Sequence, residues 1–226
     1  MTAVTPDHPS LGPTRLHLGC GQRYLDGYLN IDFPPDQHTV QINSVADQHH
    51  NLLELRYPAG SIKEIRSHHV FEHFSRPVAL ALLATWNAWL EVEGILRIEV
   101  PDFTRTALSI LNPLSSAEVR CVGLRHLFGS NEAPWAVHYD GWTKANFILA
   151  GEATGFRVDS IKRNHHKHTY NIEFFASKTC NFSDYPSPEN RIQSFLARFL
   201  VDNSEGGLLE VWMKQFREQQ ARMMHS

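Results

Sequence analysis

Several things are scarce in this 226-residue chain, and each scarcity closes off a class of function. Cysteine occurs three times, as Cys20, Cys121 and Cys180, far apart in sequence. That suits a reducing compartment and leaves neither a disulfide framework nor a cysteine zinc pattern to build on. An excess of positive charge is also missing: 21 Lys and Arg stand against 24 Asp and Glu, a formal net charge of −3, so nucleic acid and anionic membrane have no general electrostatic call on the surface. No stretch reaches the ~20 apolar residues that span a bilayer. The first dozen residues, with Pro6, Pro9, Gly12 and Pro13, lack both a basic start and a continuous apolar segment, so neither a signal peptide nor an anchor is expected there. These absences point to a soluble, cytoplasmic protein.

What is present begins with Leu16-His17-Leu18-Gly19-Cys20-Gly21, followed by Tyr28-Leu29-Asn30-Ile31-Asp32. An apolar run ending in a glycine turn lets backbone approach a ligand with no Cβ in the way, and a carboxylate closing the next strand can take both hydroxyls of a ribose. The dinucleotide fingerprint needs a third glycine and an acid about 20 residues further on, so NAD is disfavoured. A strand-to-turn glycine pair of an ordinary α/β domain remains the alternative until other segments are weighed.

Strands are expected at Thr14 to Leu18, Leu29 to Phe33, Val40 to Ser44, Ile62 to His69, Ile95 to Val100, Phe156 to Ile161 and 170–178. Helices are expected at Pro77 to Leu90, ended by Gly94, in pieces across 103–128, and from a Thr143 cap to about Thr154 before Gly155. Strands alternating with helices predict an α/β fold, a Rossmann-like, doubly wound, mostly parallel sheet whose ligand sits beyond the carboxyl ends of the strands, beside Gly19 to Gly21. The composition shifts after residue 182, where Pro186 and Pro188 precede helical patterns at Ile192 to Val201 and Leu208 to about Met223, parted by Gly206-Gly207. The expected organisation is a flexible segment 1–13, a Rossmann-like domain 14–180 and a C-terminal helical extension 181–226. The apolar faces of that extension need a surface, either the parent domain or a second copy in a homodimer.

The segment His69-Val70-Phe71-Glu72-His73 spells H-x-x-E-H, the string of inverted zinc peptidases. That motif requires a helix, so that two imidazoles four residues apart project onto one ion. Here the string follows a strand and precedes Arg76-Pro77, with no clear third ligand, so a zinc peptidase is disfavoured and no metal is expected. His165-His166-Lys167-His168 reads as a solvated turn between the last two strands rather than a metal tract.

Taken together, these segments resemble class I S-adenosylmethionine-dependent methyltransferases, in a compact form similar to predicted enzymes of sugar and surface-polysaccharide metabolism. The glycine segment resembles the family's first motif, and Ser67 to Phe74 its fourth, Ser-His-Val-Leu-Glu-His-Phe, with Phe71 in place of leucine. Ser61 to Ile65 is similar to Ser-Phe-Asp-x-Ile, Ile95 to Asp102 to the fifth strand, and Gly151 to Phe156 to the Leu-x-x-Ala-Gly-Phe turn. Ala136 to Trp142 resembles a His-x-x-Gly-(Trp/Phe) loop. The resemblance covers about residues 14–178 and leaves 182–226 outside it.

The resemblance implies S-adenosylmethionine as cofactor, held by the backbone of Gly19, Cys20 and Gly21. Asp32 would hold the ribose, a contact worth roughly 1.5 to 3 kcal/mol if dry. Asp47 and Gln48 would meet the adenine amino group unless Asp47 is a plain turn residue, and His69 would lie near the sulfonium, with Glu72 orienting the loop. Methyl transfer to O or N of a small metabolite or glycan precursor is the implied reaction. Alignment supplies much of its acceleration, and a base is needed only for a hydroxyl or protonated amine. His138 and His69 are the candidate bases, with a structural histidine as the alternative for each. Trp135, Tyr139 and Trp142 would form an acceptor wall or a lid. A non-catalytic S-adenosylmethionine-binding module or scaffold is the competing reading.

Overall fold

The computed structural model describes residues 14–35 and 43–224. The strands are β1 Thr14–Leu18, β2 Leu29–Asp32, β3 Gln48–His49, β4 Ile62–His68, β5 Leu90–Pro101, β6 Phe156–His166 and β7 Thr169–Lys178. The helices are α1 Arg76–Trp89, α2 Phe103–Leu111, α3 Ala117–Phe128, α4 Lys144–Ala153, α5 Pro188–Ala197 and α6 Gly206–Met224. The strands form one seven-stranded sheet in the order β3-β2-β1-β4-β5-β7-β6. All neighbours are parallel except β7, which runs antiparallel to both β5 and β6. This is the Rossmann-like, mostly parallel sheet that the sequence predicts, with its chain reversal between β1 and β4.

Alternation along the strands sends Leu16, Leu18, Ile65, Leu96, Ile98, Val100, Ile172, Phe174 and Ala176 into one core shared with α1, α4, α5 and α6. Helix α1 is buried almost all round, from Pro77 through Trp89, because it lies between the sheet and α6. Inside it, Asn87 donates to the carbonyls of Gly155 and Cys180 and accepts from the Phe182 amide, fixing the chain where it leaves β7. The other side-chain row of the sheet is charged: Arg97 meets Glu173 at 2.9 Å and Glu64 at 3.6 Å, and Arg66 meets Glu173 at 3.7 Å. Helices α2 and α3 pack on each other near β7 and contribute no side chain to the core cluster.

Three expectations need correction, and a fourth, the strand at Val40 to Ser44, lies mostly outside the described residues; among the described residues the strand beside β2 is Gln48–His49. Gly94 does not end α1, which stops at Trp89; β5 starts at Leu90, and pairing with β4 slips between Leu90 and Ile95, where Glu93 takes a left-handed φ of 61°. β6 reaches His166, so only Lys167 and His168 form the hairpin turn. Gly206 and Gly207 open α6 rather than parting two helices, and that separation falls at 198–205.

The C-terminal helices find their surface on the parent chain. Ile192, Phe195, Leu196, Met213, Phe216 and Met223 are buried in the common core, whereas Val201 and Val211 remain exposed. No helix among the described residues is long and apolar enough to cross a membrane.

Candidate active site

A cleft of about 940 Å³ opens along the carboxyl ends of β1, β2 and β4. Its first wall is the glycine corner. Gly19 has φ +69°, and a Cβ there would collide with the side chain of Val70, so the corner admits no larger residue. The Gly19 and Cys20 amides both donate to the Ile31 carbonyl, and the Gly21 amide donates to Asp32 Oδ2 at 2.8 Å. Asp32 Oδ1 accepts from the Phe33 amide at 2.8 Å. The carboxylate that closes β2 is thus pinned against the glycine turn at the cleft edge. Cys20 is buried beside Asp32 and Asp47, and burial, reinforced by their charges, pushes its thiol up to about 12, so it remains an inert thiol.

Asp47 is engaged elsewhere. It immediately precedes β3, close enough to the glycine corner for its charge to act on Cys20, with both carboxylate oxygens turned to protein partners. Its Oδ2 accepts from the Asn30 amide and side chain at 2.8 and 3.1 Å, and its Oδ1 from the Tyr24 hydroxyl at 3.2 Å. Neither Asp47 nor Gln48 lines the cleft. The residues that do, at the carboxyl end of β3, are Asn51, Leu52 and Leu53. Nothing in the sequence marks them, because an apolar wall needs no motif. His126, which reaches the cleft from α3 and engages the Tyr170 carbonyl at 2.9 Å, went equally unmarked.

The second wall is a cluster of histidines and carboxylates. His69 leaves the end of β4 with a left-handed φ of 53°, which turns its ring into the cleft. Its Nδ1 lies 3.1 Å from Glu72 Oε1 and its Nε2 3.6 Å from Glu99 Oε1, while His68 Nε2 meets Glu99 Oε1 at 3.1 Å. Burial opposes charge on His69, but hydrogen bonds to Glu72 and Glu99, with their charges, outweigh it and raise its pKa to about 10. Burial likewise opposes charge on Glu72 and Glu99, yet the histidines beside them hold both carboxyls below the usual range. The trio is a half-buried imidazole held between two carboxylates that favour its protonated form.

The H-x-x-E-H string is not a helix. Phe71–His73 is a single 3-10 turn, so His69 and His73 diverge: His69 turns to Glu99, and His73 stacks edge-on to His138 with ring centroids 4.7 Å apart. The loop that carries His138 is tied down at three points. The Tyr139 amide donates to the Glu72 carbonyl at 2.9 Å, the His138 amide to the Phe128 carbonyl at 3.2 Å, and Gly129 bridges Val137. A Cβ at Gly129, φ +88°, would strike the Ala136 carbonyl. His138 Nε2 comes within 3.9 Å of Glu72 Oε1, and burial, with His73, His69 and His126 opposing Glu72, lowers its pKa and leaves a neutral imidazole. Of the three aromatic residues expected around the acceptor, Trp135 lines the cleft, Tyr139 points to solvent, and Trp142 is buried in the core against Phe71 and Phe147.

No protein-family model matches the chain, and no curated protein matches it. Solved structures do. An S-adenosylmethionine-dependent methyltransferase from Mesorhizobium loti superimposes with a TM-score of 0.51 at 13% identity, over 76% of this chain and 94% of that one. A chain of the complex between the Trm112 methyltransferase activator and a methyltransferase from Haloferax volcanii gives 0.51 at 14% identity, over 75% and 84%. Likeness at this identity is likeness of architecture, so the chain shares the fold in which the Mesorhizobium loti methyltransferase is built.

Proposed function

We propose that this chain is an S-adenosylmethionine-dependent methyltransferase that moves a methyl group to oxygen or nitrogen of a small metabolite or glycan precursor. One observation carries the reading: a single cleft runs from the Gly19–Gly21 corner and Asp32 to the cluster of His69, Glu72, His73 and His138. The first end suits an adenosyl group. Backbone approaches closely at Gly19 and Gly21, the Asp32 carboxylate stands where ribose hydroxyls would donate to it, and Asn51, Leu52 and Leu53 offer the base an apolar slot with one polar group.

The second end suits a cationic sulfur and the acceptor. His69 with Glu72 and Glu99 carries one positive and two negative charges, a net negative patch beside the cofactor's sulfonium. Transfer is a displacement in which the acceptor's lone pair forms the new bond to carbon as the carbon–sulfur bond breaks and its pair returns to sulfur, so holding the three atoms in line supplies much of the rate. His69, a cation with both ring nitrogens engaged, is not the proton acceptor. His138, neutral and facing the cleft, is the histidine left for the acceptor.

The test has two parts. Calorimetry with S-adenosylhomocysteine should give one site, lost in Asp32→Ala, and no heat with the parent protein would sink the reading. Incubation with labelled cofactor and a metabolite pool should give labelled product, with turnover in His138→Ala down ~10²-fold or more and cofactor affinity kept. Tight binding without any product would instead identify a cofactor-binding module.

A further inference from the structure

We infer that Glu72, His73 and His138 form a binding site for one divalent transition-metal ion of the zinc class, with its open positions facing the cleft. One oxygen or nitrogen of each residue lies within 4.8 Å of those of the other two. Donors around a tetrahedral ion with bonds of 2.0 to 2.2 Å stand about 3.3 Å apart, so small torsional adjustments close the set.

Three features of the local chemistry single out this group. Glu72 is fully buried, and its Oε2 has no hydrogen-bond partner, a costly state for a carboxylate oxygen unless something cationic completes it. His73 directs Nδ1 at the Val137 carbonyl, 3.2 Å away, which fixes the tautomer with the proton on Nδ1 and leaves the Nε2 lone pair for a metal. His138 turns Nε2 toward Glu72 Oε1, 3.9 Å away, so this nitrogen faces the same space as the carboxylate. The neighbouring trio of His68, His69 and Glu99 is as compact, but both nitrogens of His69 already face carboxylates, so that group is closed to an ion.

Two imidazoles and one carboxylate make a three-residue set that leaves positions open for an exogenous oxygen. The role of the ion rests on the transferase reading above. An acceptor hydroxyl bound at the open position loses its proton to water more readily, as metal-bound water does. The oxygen then forms its bond to the methyl carbon as the carbon–sulfur bond breaks, and sulfur leaves as a neutral thioether. His138 then acts through the ion instead of taking the proton itself. Any such ion belongs to an acceptor site, not to a peptidase, because His69 stands outside the ligand set.

The experiment uses the full chain after treatment with a chelator. Zn²⁺ titrated by calorimetry should bind at one site, and Co²⁺ should give the visible absorption of an ion held by nitrogen and oxygen. His73→Gln and His138→Gln should each weaken binding at least ~10-fold with unchanged circular dichroism. A His165→Gln/His166→Gln/His168→Gln triple variant, which removes the exposed hairpin histidines, should bind as the parent does. If one cleft variant fails to fold, the other carries the comparison, and the parent's cobalt spectrum stands beside both.

No uptake by the parent, uptake indifferent to both cleft variants, or loss only in the hairpin variant would each overturn the site. Heat from S-adenosylhomocysteine without metal binding would remove the ion and leave the transferase; metal binding without that heat would do the reverse.

Discussion

At the level of single residues, the cleft depends on positions that allow no alternative. Gly19 combines a left-handed backbone with a missing side chain whose place Val70 fills. Gly19→Ala should therefore lose about 1 to 3 kcal/mol of stability through backbone strain and crowding, and weaken S-adenosylhomocysteine at least ~10-fold. Urea denaturation and calorimetry read these separately, and a variant equal to the parent in both would refute the role of the corner. His17 supplies a pH signature. It is fully buried, and burial lowers its pKa below the ordinary value, against the opposing hydrogen bond with Asn30 at 2.9 Å. Below about pH 6.5 the unfolded chain takes up a proton that the folded chain resists, so stability is present above that pH and is lost as pH falls. Between pH 7 and 5 the decline in His17→Gln should be shallower than in the parent by up to about 1.4 kcal/mol per pH unit, measured by denaturant midpoints.

Residue-scale chemistry was legible where it is local. Gly19 and Gly21 declare themselves at the end of one strand and Asp32 at the end of the next, and all three line the cleft. Asp47 does not line the cleft because its carboxylate is taken up by Asn30 and Tyr24, and a two-residue strand leaves no periodicity from which to read that arrangement. The convergence of His73 with His138 was illegible for another reason: it joins a 3-10 turn to a loop 65 positions away, through backbone contacts that no pattern encodes.

At the level of elements, caps and turns decide where the cleft walls begin. Asp102 ends β5 and starts α2 in one step: its Oδ1 accepts from the Arg105 amide at 3.1 Å, and its Oδ2 pairs with Arg163 at 2.9 Å. Asp102→Ala should cost about 1 to 2 kcal/mol in urea denaturation at constant m value, and Asp102→Asn should recover most of it because the cap survives. Equal losses in both variants would assign the effect to the ion pair with Arg163. The starts of α1 and α4 were readable from Pro77 and Thr143, and the structure puts each within two residues of expectation, whereas Gly94 gave no true end to α1. The reach of β6 was not readable, because seven polar or charged residues in its last eight positions hide a strand whose partner, β7, supplies the apolar row.

At the level of the whole molecule, residues outside the family-like segment are part of the core. Phe216 and Met213 of α6 pack onto α1, Gln219 donates to the Leu53 carbonyl at 3.1 Å, and Arg56 donates to the Arg222 carbonyl at 3.0 Å. The extension therefore braces the loop that carries Asn51 to Leu53, which lines the cleft beside the glycine corner. Deletion from Pro186 onward should give insoluble or unfolded protein, not a well-folded monomer, because it strips the outer face of α1. A soluble truncated chain with a cooperative melting transition would show the extension to be dispensable.

Val70 sits between two parts of the molecule that ligands would meet separately. Its methyl groups occupy the volume that Gly19 leaves vacant, and the next residue but one, Glu72, belongs to the histidine cluster. The two halves of the cleft are thus geared together through one aliphatic wedge, and a methyl group added on one side demands one removed from the other. Val70→Ala combined with Gly19→Ala should therefore be less harmful than the sum of the single changes, by about 0.5 to 3 kcal/mol in a double-mutant cycle, whereas strict additivity would mean that the gears do not mesh.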